Sequence, residues 1–353
     1  MGEKILMKGN EAVAEAAIRA GCRHYFAYPI TPQSELIEYM AKRMPQVGGC
    51  FLQAESEVAA INMVFGAAAC GVRVMTSSSS PGISLKQEGI SYMAASRLPA
   101  VIVNVQRGGP GLGNIAPMQS DYFQSTRGGG HGDYYTPVLA PSSVQEFADM
   151  ASEAFRIAEK YRTPVLIFAD GMLGQMMEPV VFEDEPGIAA DSSEWALGCR
   201  TGNSRPNHII NSLFIDPYEL KEKTEKLFEV YDVIKQNEVR YEMYNVDANP
   251  TMLAVATGTA ARVVKSAIDE LKDQGIEIGL VRPISLWPFP YDAIAAAARG
   301  VKKVVTVELN MGQMVEDVRL AVNGACPVEH VGKAGGVVFT PVETIKILRE
   351  RFQ

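Results

Sequence analysis

Apolar residues in this chain alternate between two spacings. Short, nearly unbroken apolar runs suit buried strands, and longer stretches repeat apolar positions every three or four residues, as helices do. Residues 11–21 (EAVAEAAIRAG) read as a short amphipathic helix ending at Gly21. Arg23–Tyr28 reads as a strand that Pro29 and Pro32 stop. A helix over Gln33–Arg43 follows, then a short strand at Cys50–Gln53, then a helix over Glu57–Cys70 closed by Gly71. Val72–Thr76 is a strand, and the turn Ser77–Gly82 leads into a helix that runs through Ala95. Ala100–Gln106 (AVIVNVQ) is almost wholly apolar, as inside a parallel sheet. Glycine-rich loops occupy Arg107–Gly113 and Arg127–Gly132, Val144–Lys160 is a helix, and Pro164–Ala169 is a strand. This alternation predicts an α/β fold with a doubly wound, mostly parallel sheet.

The rhythm then breaks. Glu183–Gly198 is acidic and irregular, and Asp216–Tyr244 is charged and helix-like, with KEKTEK in its middle. Alternation resumes near Asn249-Pro250. Strands are expected at Met252–Thr257, Glu277–Val281 and Val304–Glu308, with a helix between the first two that ends at Gln274 and helices at Tyr291–Arg299 and Gln313–Val322. The chain therefore divides into a first domain at 1–182, a connecting segment at 183–249 and a second α/β domain at 250–353. Its 353 residues suit about two domains.

Composition narrows the function classes. The chain is 47% hydrophobic and 21% charged, an ordinary globular balance. A net charge of −8 without a basic cluster argues against a nucleic-acid surface. No apolar run is long enough to span a membrane, and MGEKILMKGN lacks the apolar core of a secretory signal. A cytoplasmic protein is expected. The five cysteines (Cys22, Cys50, Cys70, Cys199, Cys326) never occur as C-x-x-C, so neither a zinc knuckle nor a ferredoxin-type cluster is encoded. No metal ligand set is expected on this chain.

The residue that stands out chemically is Glu57. It opens a helix of Ala, Val, Ile, Met and Phe, where a carboxylate is costly unless it is paired or has a task. A Glu in a first helical turn also complements the helix dipole, which is the plainer reading. Gly108–Gly113 (GGPGLG) invites a dinucleotide reading, but Asn114–Pro117 makes a poor helix start, so close backbone approach to a substrate or a mobile loop fits better. His131 lies in the second glycine-rich loop and either touches substrate or caps the loop. The serines at 77–80 precede a helix and could meet an anion there.

Several ordered motifs change the weight of these readings. Tyr28-Pro29-Ile30-Thr31-Pro32 is followed by Glu57-Val-Ala-Ala-Ile-Asn-Met-Val-Phe-Gly66, then by Ser77–Gly82 with SLKQEG, then by a strand ending at Arg107. PSSVQE (141–146), ADGMLGQ (169–175), LVRPISLWPFP (280–290) and VVTVELNMGQ (304–313) continue the series. Over almost its full length the chain resembles the pyrimidine-domain (alpha-type) subunit of the 2-oxoacid:ferredoxin oxidoreductases. The resemblance implies a thiamine diphosphate-binding, pyrimidine-type domain followed by a transketolase-C-terminal-like α/β domain.

Thiamine diphosphate needs one buried carboxylate to hydrogen-bond its pyrimidine N1′ and stabilise the imino tautomer. The resemblance assigns that task to Glu57, with Pro29, Ile30 and Thr31 around the cofactor and Thr31 beside the thiazolium. It sets Arg107 to face the 2-oxoacid carboxylate, which a guanidinium fork suits. The plainer readings are a turn residue between two prolines for Thr31 and a surface ion pair for Arg107. The diphosphate motif GDG is missing: Gly132-Asp133 is followed by Tyr, and Asp170 matches a domain-closing segment, although Asn203 lies at a suggestive distance from it. The resemblance implies that Mg²⁺ and the diphosphate are held by a beta-type partner subunit. It also implies that the 4Fe-4S clusters are on partners, with a gamma-type subunit and a ferredoxin-like subunit completing the complex. The chain would hold half of the cofactor and be inactive alone.

The implied reaction is coenzyme A-dependent oxidative decarboxylation of a 2-oxoacid, with electrons passed to ferredoxin. RGGPGLGN with QSDYFQSTRGGGHGDYY looks most like the branched-chain type, acting on 3-methyl-2-oxobutanoate (2-ketoisovalerate). 2-Oxoglutarate or pyruvate is the alternative, and Arg127 and His131 are the candidate partners for a second carboxylate. A non-catalytic assembly subunit and an NAD-linked dehydrogenase are the other classes weighed. The first is disfavoured by the intact Thr31, Glu57 and Arg107, the second by the lack of a dinucleotide turn.

Overall fold

In a computed structural model the residues described are 3–182, 189–197 and 208–352. Cys199, Asn203 and part of the acidic stretch at 183–198 lie outside them. The expected α/β architecture is present. A seven-stranded sheet runs in the order Ser285–Trp287, Val138–Leu139, Pro164–Asp170, Ala100–Gln106, Val74–Ser78, His24–Ala27, Cys50–Gln53. Its pairs are parallel except for Ser285–Trp287, which runs antiparallel to Val138–Leu139. Val74–Ser78, Ala100–Gln106 and Pro164–Asp170 are buried throughout, which explains the nearly continuous apolar sequences of the latter two.

Helices cover this sheet. Gly9–Arg19 packs on Val144–Tyr161, and its Ala12, Val13 and Ala16 are buried. Glu57–Ala69 starts where the Ser56 hydroxyl accepts from the Ala59 N–H at 3.1 Å. The serine turn is shorter than expected. Ser77 and Ser78 end a strand, and Ser80–Gly82 already lie in the helix Ser80–Ala95.

A second sheet has the order Val328–Gly332, Lys303–Glu308, Met252–Val255, Ile278–Pro283, Tyr241–Tyr244. The charged stretch expected to be helical through Tyr244 is helical only over Pro217–Asn237. Tyr241–Tyr244 alternates between half-buried and exposed positions and pairs antiparallel with Ile278–Pro283. Pro217–Asn237 carries exposed i,i+4 pairs, Lys221–Glu225 and Glu222–Lys226, on one side. On the other side Tyr231 packs edge-on against Tyr135 and Trp287. The strands Ile5–Lys8 and Met177–Val180, which pair with each other, the strand Val328–Gly332 and the closing helix Pro341–Phe352 carried too little periodicity to be expected.

Two buried carboxylates tie the two sheets together. Asp170 accepts from Thr259 Oγ1 at 2.5 Å and Gln119 Nε2 at 3.2 Å, and also caps the helix Gly171–Gln175 through the Met172 and Leu173 N–H groups. Asp317 accepts from the Tyr122 hydroxyl at 2.6 Å, from Arg127 at 2.9 Å and from the Tyr291 hydroxyl. No helix among the described residues is long and apolar enough to cross a membrane.

Candidate functional site

The carboxyl ends of the parallel strands gather the residues of interest. Tyr28–Pro32 follows His24–Ala27, Glu57 follows Cys50–Gln53, Ser79–Gly82 follows Val74–Ser78, and Arg107 follows Ala100–Gln106. Open α/β sheets bind their ligands at this edge.

The Tyr28–Pro32 turn is pinned from three sides. Asn10 Nδ2 donates to the Pro32 carbonyl at 2.9 Å, Gln33 Nε2 donates to the Tyr28 carbonyl at 3.4 Å, and Arg107 donates to the Thr31 carbonyl at 3.0 Å. Gln33 is itself held by Ser77, whose hydroxyl shares a 2.5 Å hydrogen bond with Tyr25. Held this way, Pro29 and Thr31 face outward and Ile30 is half-buried.

Arg107 is 8% exposed. Its guanidinium donates to the carbonyls of Thr31 and Leu112, and Nε is buried without a partner. Its main-chain N–H donates to Ser80 Oγ at 3.1 Å. Among the described residues no carboxylate faces this cation. The surface ion pair of the plainer reading is therefore not made, and a buried guanidinium satisfied only by neutral carbonyls is chemically prepared for an anion.

Glu57 is 6% exposed, and no described residue donates a hydrogen bond to its carboxylate. Gly82 makes room for it: a β-carbon there would lie 2.7 Å from Glu57 Oε1 and 2.1 Å from Ser78 Oγ. The hydroxyls of Ser78 and Ser79, on the same edge, are buried and unpartnered. An unpaired acceptor, two orphaned hydroxyls and a cradle that any side chain at position 82 would fill suit a polar heteroaromatic ring such as an aminopyrimidine.

Sequence reasoning overlooked Lys86. It is fully buried, and its Nζ donates to Thr76 Oγ1 at 2.7 Å. Burial pushes its pKa down to about 7, and the negative charge of Glu57 partly offsets that. The available signal was a lysine at helical spacing between Gly82 and Gly89, on a face that otherwise carries small or apolar residues.

Two other candidates are placed elsewhere. Arg127 forms an ion pair with Asp317 and stacks over the Phe123 ring. His131 is exposed and lines a cavity of about 840 Å³ with Tyr92, Tyr134, Phe214 and Lys223, on a wall apart from Arg107. What lies beside Arg107 is the loop that carries Leu112 and Ile115, 79% and 65% exposed. Asn114 Nδ2 fastens this loop to the Gly335 carbonyl at 2.9 Å.

Comparison with known proteins identifies the family. Residues 15–192 match the family described as pyruvate flavodoxin/ferredoxin oxidoreductase, thiamine diphosphate-binding, and residues 251–344 match pyruvate:ferredoxin oxidoreductase core domain II. The chain belongs to this oxidoreductase family. It is 50% identical over 345 residues to the ketoisovalerate oxidoreductase subunit VorB of Methanothermobacter thermautotrophicus, covering 98% of this chain and 97% of that one. It is 36% identical over 358 residues to the 2-oxoglutarate synthase subunit KorA of Methanocaldococcus jannaschii, covering 96% and 97%. The 2-oxoglutarate:ferredoxin oxidoreductase of Magnetococcus marinus, solved with 2-oxoglutarate, coenzyme A and succinyl-CoA, superposes with a TM-score of 0.89 at 27% identity. That match spans all of this chain and 66% of the other. A split-gene transketolase at 14% identity and a TM-score of 0.58 shares the fold.

Proposed function

We propose that the chain is the pyrimidine-domain subunit of a cytoplasmic 2-oxoacid:ferredoxin oxidoreductase whose substrate is 3-methyl-2-oxobutanoate. Residues 1–182 form the pyrimidine-type domain and residues 250–353 the transketolase-C-terminal-like domain. The observation that carries the reading is the pairing, at one sheet edge, of an unpartnered buried carboxylate (Glu57) with a guanidinium that no carboxylate faces (Arg107).

Glu57 accepts a hydrogen bond from the cofactor's pyrimidine, with Pro29, Ile30 and Thr31 lining the ring's approach. Thiamine diphosphate bound there supplies the nucleophilic carbon and the electron sink that decarboxylation needs. Arg107 binds the substrate carboxylate, and the Thr31 hydroxyl donates to an oxygen of the 2-oxo group. Mg²⁺, the diphosphate and the 4Fe-4S clusters are held by partner subunits, and coenzyme A accepts the acyl group.

The branched-chain substrate is supported by side chains. Leu112, whose carbonyl Arg107 holds, and Ile115 are exposed on the loop that follows Arg107, and Arg127 is paired with Asp317. An isopropyl group suits such a surface, whereas a second carboxylate would need a cation there. The test is anaerobic reduction of a viologen dye by the assembled complex, with coenzyme A, thiamine diphosphate and a panel of 2-oxoacids. Preference for 3-methyl-2-oxobutanoate is the expected result. Preference for 2-oxoglutarate would overturn the substrate, and a cofactor-loaded complex inactive on every acid would leave an assembly role.

A further inference from the structure

Two helices, Glu57–Ala69 and Ser80–Ala95, lie face to face along one side of the cleft. Glycines bring them close. A β-carbon at Gly82 would meet Glu57 Oε1 at 2.7 Å, and one at Gly89 would meet Ile61 Cγ2 at 2.6 Å. Lys86 stands one turn after Gly82 and one turn before Gly89, on the face that these contacts define. It is a full-length cationic side chain buried where the packing favours glycine.

Its fixed contact is Thr76, which lies two residues before Ser78 on the strand beneath. No carboxylate of the described residues forms an ion pair with it, and Glu57 is the acid whose charge supports its ammonium. A buried ammonium held by one hydroxyl is expensive, and packing alone would be better served by Met or Leu. Such a residue persists where it has a task.

We propose that Lys86 is a positioning residue for Glu57, supplying the buried countercharge that holds the carboxylate in place as an acceptor for the cofactor's pyrimidine. The inference rests on the reading of Glu57 given above. Lys86 itself has no contact with cofactor or substrate and acts through Glu57, with Thr76 fixing the amine from the far side. Lys86→Met keeps an unbranched side chain between the two helices, and its melting temperature separates an effect on the site from an effect on the fold.

The experiment is a double-mutant cycle on the assembled, cofactor-stripped complex. Thiamine diphosphate affinity is measured by titration calorimetry, beside turnover and melting temperature, for wild type, Glu57→Gln, Lys86→Met and the double variant. Lys86→Met alone should weaken cofactor binding by about 10–100-fold, the loss of a through-space countercharge worth about 1.4–2.8 kcal/mol. In the Glu57→Gln background the same substitution should change affinity by less than about threefold. Thr76→Val, which releases the amine without removing it, should show a smaller loss with the same dependence on Glu57. Losses that multiply in the double variant, or wild-type affinity for Lys86→Met, would overturn the role of Lys86 and leave Glu57 intact. Unchanged affinity and turnover for Glu57→Gln would overturn the reading of Glu57 itself and this inference with it.

Discussion

Arg107 donates from its guanidinium to the main-chain carbonyl of Thr31, 3.0 Å away and 76 residues earlier in the chain. The second arm of the same fork holds the Leu112 carbonyl at 3.1 Å. One side chain thus joins the proline-bounded turn to the glycine-rich loop, and its Nε is left over, buried and unpaired. Arg107→Ala should lower kcat/KM for the 2-oxoacid by about 10–10³-fold, as expected for losing charge-assisted hydrogen bonds. The affinity for thiamine diphosphate should move far less. Steady-state kinetics beside cofactor titration separates the two, and a larger effect on cofactor than on substrate would place Arg107 elsewhere. Arg107→Lys should recover little, because an ammonium cannot span both carbonyls and an anion.

Glu57→Gln keeps the shape of the side chain and removes its charge. Turnover of the assembled complex should fall by about 10²–10⁴-fold, the range for an acid–base group. Single-turnover dye reduction measures this directly, and a rate near wild type would remove Glu57 from the site.

Asp317 gathers Tyr122 and Arg127 from the first sheet's side with Tyr291 from the other. Asp317→Ala should destabilise the chain by about 1–3 kcal/mol, because it strands the Tyr122 hydroxyl in the interior and releases Tyr291, while Arg127, 43% exposed, turns to water. Thermal unfolding of the full chain reads this loss. Arg127→Ala should leave the ratio of activities on 3-methyl-2-oxobutanoate and 2-oxoglutarate unchanged. A selective change in the 2-oxoglutarate rate would return Arg127 to the substrate.

Glu308 is buried and accepts from the N–H groups of Gln313, Met314 and Val315 at 2.8–3.1 Å, capping the helix Met314–Val322. His330 Nδ1 lies 3.3 Å away. Burial alone would push this carboxyl up, but His330 and the main-chain donors outweigh it and hold the pKa below the ordinary value. A carboxyl lowered in the folded state adds stability above its unfolded pKa of about 4.3 and loses it as pH falls through the folded value. Melting temperature should therefore drop on acidification below about pH 4.3 less steeply in Glu308→Gln than in wild type. The variant should also start lower at neutral pH. Parallel acid limbs would show that Glu308 does not carry the linkage.

Legibility in the sequence follows the range over which each signal acts. Glu57 opening an apolar helix and the prolines bracketing Ile30 and Thr31 are local features, and both fall at the carboxyl edge of the sheet that carries the candidate site. Lys86 is different. Its burial depends on two glycines meeting a neighbouring helix, and a helix with small residues on several faces does not show which one is covered. Arg127 resembled a substrate ligand because its partner, Asp317, stands 190 residues away. Tyr241–Tyr244 was absorbed into a charged helix because the strand it pairs with, Ile278–Pro283, also lies outside the local stretch of sequence.

Ser285–Trp287 leaves the second sheet after Pro283 and completes the edge of the first by pairing with Val138–Leu139. The two halves are consequently not interchangeable cassettes. A fragment ending before residue 285 would leave the short strand Val138–Leu139 as a bare edge, open to association with other chains. In a recombination or domain-swap experiment the productive crossover point therefore lies outside this exchanged strand, and the cofactor-facing half inherits its outer boundary from sequence that belongs to its neighbour.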